Sequence, residues 1–193
     1  MKIKNEIRVL GIDDGPFHKQ KNEAIVVGIV MRGGKDFDGM IVTSVKVDGL
    51  DATEKIANAI KGCKYFKELK VVMFKGLTIA GFNVIDIDEL HDVLKLPVIV
   101  VSRKKPNFKK IYSAIKNLSD WKIRWKIIKK AGKVYAFEIK NNKNIYFQFK
   151  GVEKEVAEEI ISLTCTKSLI PEPLRLAHMI ASAIVKGECG GRA

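Results

Sequence analysis

Apolar residues fall along this chain in two rhythms, short continuous runs and spaced stripes, and their order outlines a fold. Three runs come first, residues 7–12, 24–31 and 40–47, rich in the Ile and Val that suit pleated strands. The segments between them, DDGPFHKQKN and RGGKDFDG, carry Gly, Pro, Asp and Asn, which favour chain reversal. The three runs are therefore expected to pair as an antiparallel meander. Residues 51–60, DATEKIANAI, then place Ile56, Ala59 and Ile60 on one helical face, as a crossover helix would.

KVVMF, residues 70–74, is a continuous apolar run suited to a central strand buried on both faces. NVIDIDELHDVL (83–94) reads as a helix and LPVIVV (96–101) as a fifth strand, and this alternation implies right-handed parallel crossovers. A Lys-rich helix is expected at 107–118, followed by a basic segment, DWKIRWKIIKKAG, at 120–132. KVYAFEIK and IYFQFK flank NNKN as a hairpin, and two helices close the chain at 152–163 and 173–186, with Pro173 in a first helical turn. The tail at 187–193, GECGGRA, is expected to be mobile. Three meander strands, helix, strand, helix, strand is the chain order of the ribonuclease H-like architecture. That is an α/β, three-layer fold whose mixed central sheet joins the meander to parallel strands, with helices on both faces. At 193 residues and 47% hydrophobic content, one domain spanning 1–193 is expected.

Charge adds a partner class. The 35 Lys and Arg against 22 Asp and Glu give +13, which favours an anionic partner such as DNA or RNA, although Lys-rich surfaces also serve stability in heat-adapted proteins. Three cysteines without CxxC spacing indicate neither a disulfide framework nor a cysteine zinc site. The apolar runs are too short to span a bilayer and the N-terminal segment lacks a secretion pattern, so a cytoplasmic protein without a membrane partner is expected, of unknown oligomeric state.

Candidate chemistry begins at VLGIDDGPF, where an apolar run ends on two carboxylates. Neighbouring strand residues point to opposite faces, so at most one of the two can look into a site. Asp13 is taken as that one and Asp14 as serving the turn, while Asp before Gly-Pro is equally ordinary turn chemistry. Near the third strand's end, VDGLDATE offers Asp48, Asp51 and Glu54. An oxygen-rich cluster there would suit Mg²⁺, but DATE equally resembles a capping box closed by Asp51 or Thr53. In IPEPLRLAHMIA, Arg175 and His178 lie three apart on neighbouring helical positions. Arg175 could hold a phosphate, and His178 could act as acid, base or ligand, or simply pack. FKGLTIAGFNVID brings Gly76 and Gly81 to the exit of the central strand, where ligands commonly sit. Arg103, Lys104 and Lys105 in VVSRKKPNFKK could bind phosphates or form a solvated charge run.

Together, VLGIDDGPF, VDGLDAT, GLTIAGFNVID, LPVIVVSRKKP and PEPLRLAHMIA resemble a largely archaeal family of endonuclease V-like proteins, nearly end to end. The resemblance implies a distant relation to endonuclease V, with Asp13 holding Mg²⁺ or Mn²⁺ and Asp51 or Glu54 completing the metal site. It implies Arg103 in the basic role near the phosphate and His178 as the counterpart of a functional histidine or carboxylate. One departure stands out: FKG puts Lys75 where that family's Asp-Gly supplies a metal-binding aspartate. An ammonium there opposes a divalent cation and could pair with Asp13 instead. Asp86 could replace the missing carboxylate only if its loop folds back. Three functions follow: metal-dependent cleavage of strands at deaminated bases, a substrate class implied by the resemblance alone; a non-cleaving nucleic-acid or phosphate binder with Lys75 in the metal's place; or a small anionic metabolite binder.

Overall fold

A computed structural model describes residues 5–17, 22–140 and 143–189. Strand β1 (Arg8–Asp14) runs into the two carboxylates, and β2 (Glu23–Arg32) and β3 (Asp36–Lys46) complete an antiparallel meander. β3 starts earlier than its apolar run because Gly33 and Gly34, both at positive φ, complete the reversal with Lys35 alone and Asp38 is held in the strand by Arg8 and Arg32. Helix α1 (Ala52–Gly62) crosses to β4 (Leu69–Lys75), which pairs parallel with β1. A small ribbon, β5 (Thr78–Ile79) with β6 (Asn83–Val84), precedes α2 (Ile87–Leu94).

The helix expected from residue 83 thus begins four residues later. Asn83 is spent on the ribbon and on side-chain bonds, and Asp86 caps α2 by accepting from the Asp88 and Glu89 N–H groups. β7 (Val98–Ser102) lies parallel to β4, and α3 (Phe108–Ile115) and α4 (Trp121–Lys130) follow. The hairpin β8 (Tyr135–Lys140) and β9 (Lys143–Lys150) joins the same sheet, with β9 antiparallel to β7. Residues 141–142, where the NNKN reversal was expected, lie outside the described residues. So does the end of the expected mobile tail, residues 190–193. Helices α5 (Lys154–Thr164) and α6 (Glu172–Lys186) close the chain.

The strand order is β3-β2-β1-β4-β7-β9-β8, a seven-stranded mixed sheet of the ribonuclease H-like kind. Its faces follow from strand alternation. Leu10, Ile12, Val72 and Phe74 pack against α1 and α2 through Ile56, Ile60 and Leu90. Val9, Val71, Met73 and Ile99 face Ile160, Ile161 and Leu174 of α5 and α6, while Val27 and Ile29 meet Ala177 and Ala181 of α6.

Candidate active site

The same alternation fixes which carboxylate faces which helix. Odd positions of β1 look toward α6, so Asp13 does too, whereas Asp14 points to the α1 side. In β4, Val71 and Met73 share that α6-facing side, and Lys75 continues it. The parallel register sets Gly11 beside Met73 and Ile12 beside Phe74, which brings Asp13 and Lys75 level at the strand ends. Lys75 Nζ lies 3.3 Å from Asp13 Oδ2.

Two glycines bring the third member in. A Cβ on Gly11 would lie 2.6 Å from the Pro173 carbonyl carbon, and one on Gly15 would lie 2.7 Å from the Ala181 oxygen. Those separations are too close for any side chain, so the two glycines let α6 lie directly on β1. His178, between those two contacts, places Nδ1 3.0 Å from Asp13 Oδ2. A carboxylate oxygen only accepts, so Nδ1–H donates to it and Nε2 is the ring nitrogen left to face a substrate or water. Asp13 is 5% exposed, while the His178 side chain is 35% exposed. A buried acid thus holds an ammonium and a half-exposed imidazole at a single oxygen.

Asp14 does something else. Its Oδ2 accepts from the Ala80 N–H at 2.9 Å, tying β1 to the ribbon. Burial, and then the adjacent charge of Asp13, push its carboxyl up from 3.8 to about 6. Asp13, Asp14, Pro16, Lys75, His178 and Lys186 line an open cleft of about 570 Å³. The residue after Lys75 enters a second space: Gly76 and Leu77 open a mainly apolar cavity of about 310 Å³, walled by Phe82, Phe108 and Ile128, with Lys104 in its lining.

The other expected site residues do not line the Asp13 cleft. Asp51 accepts from the Lys46 N–H and from Asn83 Nδ2, and pairs with Lys55. It makes no capping bond: Asn83 Oδ1 accepts the Ala52 N–H instead, and Thr53 Oγ1 accepts from the Asp86 N–H. DATE is therefore neither a capping box nor part of the Asp13 cleft. Glu54 is exposed on α1. Asp48, at φ 51°, accepts from the Phe82 N–H. Asp86 pairs with Lys130 and does not fold back toward Asp13. Arg175 grips the buried Glu172 with Nε and Nη2 at 2.9 and 2.6 Å, which occupies the fork expected for a phosphate. Arg103 is exposed in the bend after β7.

Two residues outside the sequence expectations hold these loops. Besides its bonds to Asp51 and Ala52, Asn83 donates to the Lys46 carbonyl. Arg124, 2% exposed within the basic α4, donates to the carbonyls of Asp48, Gly49 and Phe82 and pairs with Asp120. Helical spacing is the available signal: Arg124 lies three after Trp121 and four before Ile128, on the buried stripe of α4, while Lys122, Lys126 and Lys129 are exposed.

Residues 5–185 match the family model described as endonuclease dU. The chain belongs to that family. Among its relatives is a UPF0215 protein of Methanothermobacter thermautotrophicus, 48% identical over 193 residues, covering 99% of this chain and 94% of the relative. A crystal structure of an Archaeoglobus fulgidus protein of unknown function is 36% identical, with a TM-score of 0.85 over 93% of this chain and 99% of that one. Endonuclease V of Ciona intestinalis, solved with DNA containing an inosine, is 18% identical, with a TM-score of 0.59 over 89% of this chain and 83% of that one, and so shares the fold.

The divalent ion implied by that fold does not fit the residues around Asp13. Among the described residues no three His, Cys, Asp or Glu side chains converge as a metal site. Asp13 Oδ2 already holds two N–H donors, and Lys75 stands in the way. For an ion on Asp13 Oδ2, adding a Mg–O bond of about 2.1 Å to the 3.3 Å pair leaves ion and ammonium at most about 5.4 Å apart. At an effective dielectric constant of about 20 that repulsion is roughly 6 kcal/mol.

Proposed function

We propose that this member of the endonuclease dU family cleaves nucleic-acid strands at deaminated bases, with deoxyuridine as the substrate base and the Asp13 cleft as the reaction centre. The observation that carries this reading is the convergence of Asp13, Lys75 and His178 at the ends of β1 and β4, beside a cavity suited to a base. Asp13 orients the His178 ring for proton transfer, and Lys75 offers charge to a phosphate. An enzyme that recognises a damaged base draws it out of the stack into a pocket of apolar and aromatic side chains. The cavity that opens at Gly76 has those walls, and Lys104 in its lining would meet the flanking phosphates. Of the expected phosphate ligands Arg103, Lys104 and Arg175, Lys104 is the one that lines this cavity, and Arg175 is held by Glu172.

The test is nicking of a labelled strand that carries one uracil, against the same strand with thymine. Cleavage confined to the uracil strand supports the reading, and equal treatment of both strands rejects the base preference. The ion pair of Lys75 with Asp13 favours one alternative, a non-cleaving binder. Retention of the uracil strand with no nick under any condition would select it.

A further inference from the structure

We infer that Lys75 is itself the catalytic cation, its ammonium doing in this protein what a divalent ion does in other members of the fold, so that strand hydrolysis proceeds without metal. This rests on the reading of the Asp13 cleft as a phosphodiester-cleaving centre.

Lys75 is placed by the core. It continues the α6-facing row Val71 and Met73 on a central strand, level with Asp13 on the neighbouring strand, and three quarters of its side chain is buried. Its partner Asp13 is anchored in turn, since Oδ1 accepts the Asp14 N–H at 3.1 Å and Oδ2 accepts from His178. A fixed ammonium in a part-buried cleft is preorganised for charge that develops on a phosphate oxygen, the service a Lewis-acidic metal gives. Lys186 lines the same cleft as a second cation, facing the carboxylates of Asp13, Asp14 and Glu188 there.

The step balances with water alone. A water oxygen bonds to phosphorus as its proton passes to His178 Nε2. The bond from phosphorus to the leaving sugar oxygen breaks, and its electron pair stays on that oxygen. Lys75 donates hydrogen bonds to a non-bridging oxygen throughout. The proton taken up by His178 returns through solvent to the leaving oxygen, giving one phosphomonoester and one alcohol. Asp13 keeps Nδ1–H in place, so Nε2 is the basic nitrogen.

The experiment uses the full chain stripped of metal and assayed on the single-uracil strand in chelator. The expected result is nicking at the same rate with chelator as with added Mg²⁺, and a loss of about 10²–10³-fold in Lys75→Met. Nicking by the unaltered protein only when Mg²⁺ or Mn²⁺ is supplied overturns the inference and leaves the cleavage reading intact. No nicking with or without metal overturns the cleavage reading and the inference with it. Calorimetric titration with Mn²⁺ gives a readout independent of activity. The unaltered protein is expected to show no Asp13-dependent binding, and Lys75→Asp to gain a site that a further Asp13→Ala removes. Asp13-dependent Mn²⁺ binding by the unaltered protein overturns the inference, as does a Lys75→Asp variant that folds and gains none.

Discussion

At the residue scale, the adjacent carboxylates have opposite tasks because a strand turns successive side chains to opposite faces. Asp13 gathers Lys75 and His178, and Asp14 tethers the ribbon at Ala80. Burial and the charge of Asp13 raise Asp14 from 3.8 to about 6, so the folded chain holds that proton more tightly than the unfolded chain does. Stability from this group is therefore present below about pH 4 and is lost as pH rises through about 6. Asp14→Asn keeps an acceptor for the Ala80 N–H without the charge. Thermal melts should show it more stable than the parent at pH 8, with the difference closing by pH 4; an equal difference at both would contradict this origin. The opposed directions of Asp13 and Asp14 were legible in the sequence. The fates of Asp51 and Glu54 were not, because DATE has the same letters whether its acid caps a helix, binds a metal or, as found, accepts from Asn83 and Lys46.

At the element scale, α6 acts as the arm that delivers His178, and Gly11 and Gly15 let it lie directly on β1. Gly11→Ala forces the Pro173 backbone away. The expected outcome is a loss of about 1–3 kcal/mol in denaturant unfolding, together with slower cleavage as His178 leaves Asp13. An unchanged midpoint and rate would contradict this packing. Arg124 is the other structural arm, joining α4 to the loops at Asp48, Gly49 and Phe82. Arg124→Met leaves these carbonyls and Asp120 without their donor and should cost about 3–5 kcal/mol in the same measurement. The strands were largely legible because apolar runs bounded by Gly, Asp and Pro mark them. The β5–β6 ribbon was not, since two-residue strands carry no period and NVIDIDEL spaces its apolar residues as a helix would. The position of β9 beside β7 depends on contacts distant in sequence, which local pattern does not encode.

At the scale of the whole molecule, the +13 charge, the open cleft and the adjoining apolar cavity suit a strand whose phosphates meet lysines and whose altered base enters the cavity. Binding to a polynucleotide should weaken steeply and linearly in log–log terms as salt rises, as counterions are released. Lys104→Ala should flatten that slope by about one unit, whereas salt-insensitive binding would point to a small uncharged ligand instead. The shared fold with endonuclease V supplies the scaffold, but cleavage stands or falls on the side chains at the ends of β1 and β4. The most direct measurement is the nicking rate of Asp13→Asn beside the unaltered protein on a strand with one uracil. With the pairings to Lys75 and His178 weakened together, the rate is predicted to fall by at least about 10²-fold while strand binding persists. Undiminished nicking by Asp13→Asn would contradict the account, because the reaction would then lie somewhere other than this cleft.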